Sequence, residues 1–345
     1  MSLLAVDVGA GTQDILLYRE DVSPEGSTKM VLPSQTVIVG GRIDRARQAG
    51  RDVFLGGPTM GGCAFSSAVR RHLAAGLKVY ATPTAAATIN DNLERVAALG
   101  IIIREDAPAS AEVITTGDID IPSLCRAFRL FDLDVPKDVA VAVQDHGYSP
   151  QRSNRLVRFE HLTGAISSGG TLDAFAYRQP PPAMTRMLAV HDCLKEQGFR
   201  PLLMDTGPAA IFGAALDPRC IEPALIINFG NGHTVAAVLD VGRIVALFEH
   251  HTSELTPEKL KRYVEKLCAG TLKNSEVFED EGHGAYIDAV PGKIRSTLVT
   301  GPQRVRFLAS GALRGSVAAA PWGDMMITGC IGLLEAWKRK ELLWR

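Results

Sequence analysis

Closely spaced cysteines are missing from this chain. Its six (Cys63, Cys125, Cys193, Cys220, Cys268 and Cys330) form no CxxC and no cluster; the two nearest in sequence, Cys193 and Cys220, stand twenty-seven positions apart. That scatter argues against a disulfide scaffold and reads as free thiols in a reducing, cytoplasmic setting. A charge excess is missing too. Lys and Arg number 37 against 38 Asp and Glu, a net charge of −1, so there is no electrostatic footprint for nucleic acid or an acidic membrane. No apolar run approaches the ~18 residues of a membrane span. The opening MSLLAVDVG has no basic stretch and runs straight into a strand, so no signal peptide is expected. No repeat of 20–50 residues is visible. What remains is an ordinary globular mix, 46% hydrophobic and 22% charged, in 345 residues. That length suggests two domains of roughly 150 residues, each able to bury a core.

Strands and helices alternate along the chain. Strands are expected at 3–8, 14–18, Gln35–Val39, 53–55, 77–81 and 101–103, with helices over Ala64–Ala75 and Ala85–Leu99. This alternation favours an α/β layer over a sandwich. Val139–Val143 (VAVAV) reads as a buried central strand. Pro208–Leu216 and Asp324–Lys338 read as helices rich in small residues, the second with a seam at Gly329 and Gly332. Such helices pack close to a neighbour.

Two glycine turns, each between apolar runs, carry the chemistry. The first is Asp7-Val8-Gly9-Ala10-Gly11-Thr12-Gln13-Asp14 and the second Asn228-Phe229-Gly230-Asn231-Gly232-His233-Thr234. Glycines let the backbone approach a ligand, and successive N–H groups of such a turn form an anion nest. Thr12 can donate its hydroxyl. Asp7 would repel a bare phosphate, and makes sense beside one only with a hard cation between them; Mg²⁺ suits that place. Each turn alone is also a plain hairpin signal. Two of them facing across a cleft would hold a polyphosphate.

Other candidates sit at strand ends. Asp145 and His146 follow the VAVAV strand, where ligands of open α/β sheets gather; either could take a proton from an acceptor. Glu249-His250-His251, His146, His233 and the His283 segment offer imidazoles and carboxylates for a metal, or are simply cleft histidines. Adjacent strand residues point to opposite faces, so His250 and His251 should not share a metal. The loop GGPTMGG, Gly56–Gly62, is either a substrate loop or a strand–helix turn.

These segments resemble, in order, the ATPase fold shared by actin, sugar kinases, heat-shock chaperones and acetate kinases. Leu203–Leu239 is similar to a chaperone stretch running EPTAAALAYGL, a linker, then FDLGGGTFDVSIL; Thr297–Arg304 (TLVTGPQR) resembles the adenosine turn and Pro321–Ala336 the final helix. The resemblance covers most of the chain. It implies an α/β, two-lobed actin-like ATPase (ribonuclease H-like) fold with duplicated mixed-sheet lobes, one of 1–147 plus 323–345 and one of 148–322. It implies ATP and Mg²⁺ in the cleft, with Gly301, Pro302 and Arg304 at the adenosine and Asp205 holding a magnesium-bound water. Asn228 stands where the superfamily usually has Asp, which removes a charge from the metal shell. Gly301-Pro302 stands in place of two glycines.

The chain also resembles a prokaryotic family labelled pyruvate formate-lyase activating protein. A radical activator of that kind needs CxxxCxxC for its cluster, which the cysteines do not supply. The expected function is a phosphotransferase or ATPase acting on a small metabolite, with Asp145 as base. The alternatives are a nucleotide-switched activator of a protein partner, or a nucleotide-binding member without chemistry.

Overall fold

The computed structural model describes residues 1–342; the last three positions of the expected closing segment, 343–345, lie outside the described residues. Sixteen strands are described. The first three are β1 Ser2–Val8, β2 Thr12–Arg19 and β3 Thr28–Pro33. An inserted unit follows with β4 Val53–Gly56, β5 Val79–Ala81, β6 Ile101–Ile103 and β7 Glu112–Thr115. Next come β8 Asp138–Val143, β9 Ala176–Tyr177 and β10 Arg200–Met204. The last group is β11 Ala224–Phe229, β12 His233–Asp240, β13 Arg243–His251, β14 Gly284–Ile287, β15 Ser296–Thr300 and β16 Val317–Ala318.

They build two matching sheets. The first runs β3-β2-β1-β8-β10-β9, the second β14-β13-β12-β11-β15-β16. In each, an antiparallel meander of three strands is extended on its first strand by two parallel ones (β1 with β8 and β10; β11 with β15 and β16). That order, three-two-one-four-five, made twice, is the duplicated ribonuclease H-like topology of the actin-like ATPases. The central strands explain it. Every residue of β8 is buried, as a strand covered on both faces requires. The inserted unit forms a separate parallel sheet, β6-β5-β4-β7, between β3 and β8.

Two helices cross between the large sheets. Thr206–Ala215 and Thr328–Leu342 share one core cluster with Leu3, Ala140, Leu202 and Ile226. Their backbones touch. A Cβ on Gly213 would lie 2.8 Å from the Thr328 carbonyl carbon, and one on Gly332 would lie 2.9 Å from that of Ala209. Only glycine permits this separation, because side chains at the contact set how near helix axes come. No helix among the described residues is long and apolar enough to cross a membrane.

Three expectations are corrected. Gln35–Val39 is the start of a helix, Gln35–Gln48, not a strand. Its buried positions Gln35, Thr36, Val39, Gly40, Ile43 and Ala46 recur at helical spacing, and Gly40 packs on the Ala64 backbone. The β-branched run TVIV hid that period. Ala85–Leu99 is two short helices, Pro83–Ala86 and Leu93–Ala98, because Asn92 caps the second by accepting from the Glu94 and Arg95 N–H groups. Finally, β9 and β10 join the first sheet, so the chain changes sheets after Met204, not after Gly147. The sequence hid this because β10 is reached through a long helical stretch, Asn154–Ser167 and Thr185–Glu196, which the motif reading did not assign.

Candidate functional site

The two glycine turns are the same turn. In the first, the Gly9 N–H donates to the Thr12 carbonyl at 2.8 Å; in the second, the Gly230 N–H donates to the His233 carbonyl at 3.0 Å. In the first, the Gly11 carbonyl accepts from the Ser34 N–H at 3.1 Å; in the second, the Gly232 carbonyl accepts from the Thr252 N–H at 3.0 Å. Strand register agrees, with Val8 opposite Gln13 and Phe229 opposite Thr234. So Thr12 and His233 hold equivalent places, as do Asp7 and Asn228, and Asp14 and Val235. The turns face each other closely: a Cβ on Gly11 would lie 2.9 Å from the Asn231 amide nitrogen. Gln303 holds that Asn231 side chain by donating to its oxygen at 2.8 Å. Between and beside the turns lies a cleft of about 400 Å³.

The first-turn side is acidic. Asp7 and Asp14 line the cleft, and each has a buried Oδ1 with no hydrogen-bond partner. Burial, with the Asp14 and Asp205 charges adding, pushes the Asp7 carboxyl well above the ordinary carboxylate range. Burial pushes Asp14 up to about 7; the Thr12 hydroxyl opposes this and Asp324 adds to it. Two unsatisfied carboxylates in one buried place are the condition a cation relieves.

Behind the cleft runs a buried ion network. Arg158, on the helix Asn154–Ser167, is fully enclosed. Its Nη1 donates to Asp205 Oδ2 at 2.6 Å and its Nη2 to Asp205 Oδ1 at 3.1 Å. Its Nε and Nη2 each donate to Glu249 at 2.8 Å, and Nη1 also reaches the Asp145 carbonyl at 2.9 Å. One guanidinium thus ties β8, β13 and the start of the helix Thr206–Ala215. Burial alone would raise the Glu249 carboxyl, but the Arg158 charge and hydrogen bonds, together with His283 and His233, outweigh it and hold Glu249 well below its usual range.

The wall facing the turns comes from the inserted unit and from β8. Thr59, Met60, Gly61 and Gly62 line it. Arg186 packs on Gly61, where a Cβ would lie 2.7 Å from Nη2. Asp118 accepts from Arg186 Nε at 2.5 Å and Nη2 at 2.8 Å, and from the Gly61 N–H at 3.0 Å. Asp145 is aimed by backbone. Its Oδ1 accepts from Gly147 N–H and its Oδ2 from Met187 N–H, both at 2.8 Å. Burial raises its pKa above the ordinary value against those bonds.

Histidines close the remaining corner. Ring centroids of His146 and His233 are 5.6 Å apart, of His146 and His283 5.7 Å, and of His233 and His283 4.8 Å. Three strand ends deliver them: β8 ends before His146, β12 opens on His233, and the His283 N–H is bonded to the Glu249 carbonyl of β13 at 2.9 Å. Burial lowers all three pKa values, His146 well below the ordinary value, His233 to about 3 and His283 to about 4. All three are therefore neutral imidazoles at pH 7.

With this geometry in place, the sequence profile of the family described as "Putative pyruvate format-lyase activating enzyme (DUF1786)" matches residues 60–306, most of the chain. The chain belongs to this family. No curated protein matches it. Solved structures with some likeness include the ethanolamine utilization protein EutJ from Carboxydothermus hydrogenoformans (12% identity, TM-score 0.35, 96% of this chain and 89% of that one). Component A of the (R)-2-hydroxyglutaryl-CoA dehydratase of Acidaminococcus fermentans is another (11%, 0.34, 99% and 99%). So is the activator of the 2-hydroxyisocaproyl-CoA dehydratase from Clostridium difficile, solved with bound ADPNP (11%, 0.28, 99% and 98%). The fold of this family member rests on strand order and register, not on these likenesses.

For this DUF1786 member the expected site residues divide. Gly9, Ala10, Thr12, Asp14, Gly230, Asn231, Gly232, His233, Asn228, Asp7, Asp145, His146, Gly301 and Pro302 line the cleft, and Gly11 meets Asn231 at its mouth. Four residues do not face it. Gln13 is buried and donates to the Pro33 carbonyl at 2.9 Å. Thr234, its equivalent, is buried against the Thr252 hydroxyl at 3.0 Å. Strand alternation turns both inward while Thr12 and Asp14 turn outward. Arg304 donates to the Gly301 carbonyl at 3.0 Å and braces its own turn. Asp205 lies behind the cleft, bound to Arg158 and to the Gly207 N–H at 3.0 Å. Arg158 and Arg186 were missed. A signal for Arg158 existed: it stands at helical spacing with Leu162, Ala165 and Ile166, an isolated charge on a core face. The six cysteines are free, and none joins the one group of possible metal ligands found among the described residues.

Proposed function

We propose that this protein binds ATP·Mg²⁺ in the cleft and transfers or hydrolyses its γ-phosphoryl group. The observation that carries the reading is the pair of identical glycine turns facing each other beside two buried, unpartnered aspartate oxygens. The nucleotide's phosphates would lie between Gly9–Thr12 and Gly230–His233, with the adenosine toward Gly301-Pro302. The residues present fit a magnesium ion: Asp7 and Asp14 offer the free carboxylate oxygens, and the ion would neutralise phosphate charge there. Phosphoryl transfer needs chiefly positioning and charge neutralisation. Asp145, aimed by two backbone N–H groups and raised by burial, is tuned to take the proton of an acceptor hydroxyl or water as that oxygen bonds phosphorus and ADP leaves. Arg186 and the loop Gly56–Gly62 form the acceptor wall. The lobes of this reading are 1–34 with 131–204 and the closing helix, and 205–322, with 35–130 as an insert over the cleft.

A second reading is favoured by one observation. Asp205 is locked to Arg158 and Asn228 carries no charge, so two of the three metal positions implied by the fold lack a free carboxylate. Slow turnover would then make the protein a nucleotide-dependent switch acting on a protein partner. The test is a calorimetric titration of ATP, with and without Mg²⁺, into wild type and Asp7→Ala. Magnesium-dependent binding lost in the variant is expected. Absence of binding to wild type at millimolar ATP overturns both readings. Turnover stimulated by an acceptor metabolite separates the first from the second.

A further inference from the structure

The histidine corner adjoins the phosphate turn, which carries His233, and has a chemistry of its own. We propose that His146, His233 and His283 bind a divalent first-row transition metal, with zinc, cobalt or iron as the fitting class. One ring nitrogen from each lies within 4.8 Å of the others. A metal–nitrogen bond of about 2.1 Å needs ligand nitrogens about 3.4 Å apart, so each ring must move by about an ångström or less. Side-chain rotation supplies that.

Two observations point to a ligand rather than to packing. Both ring nitrogens of His233 and both of His283 are buried with no hydrogen-bond partner. A neutral imidazole carries one donor and one acceptor, so this leaves four groups unsatisfied in one place, a cost that native interiors seldom carry. Second, a carboxylate stands behind them: Glu249 Oε2 is 3.9 Å from His283 Nδ1, and Arg158 and Gln144 hold it. A carboxylate behind a ligating histidine fixes its tautomer and orientation.

Neighbouring histidines are spoken for. His251 gives its Nδ1 to the Glu281 carbonyl at 2.7 Å, and His250, on the opposite strand face, lies against Tyr263 and Asp280. Three imidazoles do not suit Mg²⁺, which prefers oxygen ligands, so this site and the Asp7–Asp14 site take different ions. A three-histidine set also leaves a coordination position open toward the cleft, where His146 and His233 form part of the lining.

The probe is Co²⁺ alone, titrated without nucleotide into full-length protein stripped with chelator and followed by visible absorption and calorimetry. One equivalent with ligand-field bands is expected, and Mg²⁺ in excess should not displace it. His146→Ala should weaken binding at least 100-fold. His146 sits on a partly exposed turn, so this variant should fold, which far-UV circular dichroism checks. His233→Ala provides the second ligand loss. No binding by wild type, or binding retained by both variants, overturns the site. Neither result touches the ATP titration, so the two readings fail separately.

Discussion

The helix crossing sets up a contest of signs. Replacing a helical glycine by alanine ordinarily stabilises by about 0.8–1.0 kcal/mol through propensity. Gly164, in the exposed face of the helix Asn154–Ser167, has nothing within 4 Å of the position its Cβ would take. Gly164→Ala should therefore gain about 1 kcal/mol. Gly332 has the same propensity gain available, yet its Cβ would lie 2.9 Å from the Ala209 carbonyl carbon and 3.1 Å from the Gly213 nitrogen. Backbone cannot rotate aside, so the two helices must separate by about an ångström. Overpacking of this kind costs about 1–3 kcal/mol, and here it acts on a crossing that joins both sheets. The net effect of Gly332→Ala should be a loss of up to about 2 kcal/mol. The two single variants should then differ by about 1–3 kcal/mol, or about 2–6 °C in melting temperature at about 2 °C per kcal/mol. Differential scanning calorimetry of wild type and both variants at one pH measures it. Gly332→Ala melting at or above wild type would refute the close crossing.

The remaining predictions concern the site. Arg158→Met strands two buried carboxylates, Glu249 and Asp205, and should cost about 3–5 kcal/mol in chemical denaturation; the triple variant with Glu249→Gln and Asp205→Asn should recover much of it, and no recovery would mean that helix packing, not charge, is lost. Gln13→Leu should lower stability by about 1 kcal/mol through its lost bond to Pro33 and leave ATP affinity unchanged, whereas weakened nucleotide binding would return Gln13 to the cleft. Asn231→Ala removes the side chain that meets Gly11 and bonds Gln303, and should raise protease sensitivity between the lobes more than it lowers the melting temperature; unchanged proteolysis counts against a contact across the cleft.

Much of this architecture was legible because glycine and apolar runs are local signals. The hairpins at Gly9 and Gly230, the buried β8 and the small-residue helices all declare themselves within ten residues. Strand membership did not. β10 is reached through two helices, and nothing in RPLLM says which sheet it joins. Site chemistry divided the same way. Thr12 and Asp14 followed from alternation once the turn was known, and the same alternation should have turned Gln13 inward. Asp205 looked like a free strand-end acid because its partner, Arg158, lies 47 residues earlier on a helix that had no motif. The histidines are further apart still, and only the pairing of β12, β13 and β14 brings His233, Glu249 and His283 to one edge.

The duplication makes the asymmetry of the cleft informative. Two hairpins with the same backbone bonds differ at the three positions that face the cleft. Asp7, Thr12 and Asp14 stand on one side; Asn228, His233 and Val235 stand on the other. The first set is hard, anionic and rich in oxygen; the second is neutral and carries imidazole. A site that only needed to grip a magnesium polyphosphate would gain from carboxylate on both turns, as Asp at position 228 would provide. An uncharged Asn228 weakens one ion's shell, and His233 at the equivalent of Thr12, beside His146 and His283, offers a shell to another. Asn228→Asp tests the division. It should tighten magnesium-dependent ATP binding and leave Co²⁺ binding at the histidines unchanged. Equal effects on both would mean that the cleft holds one ion position, shared between the turns.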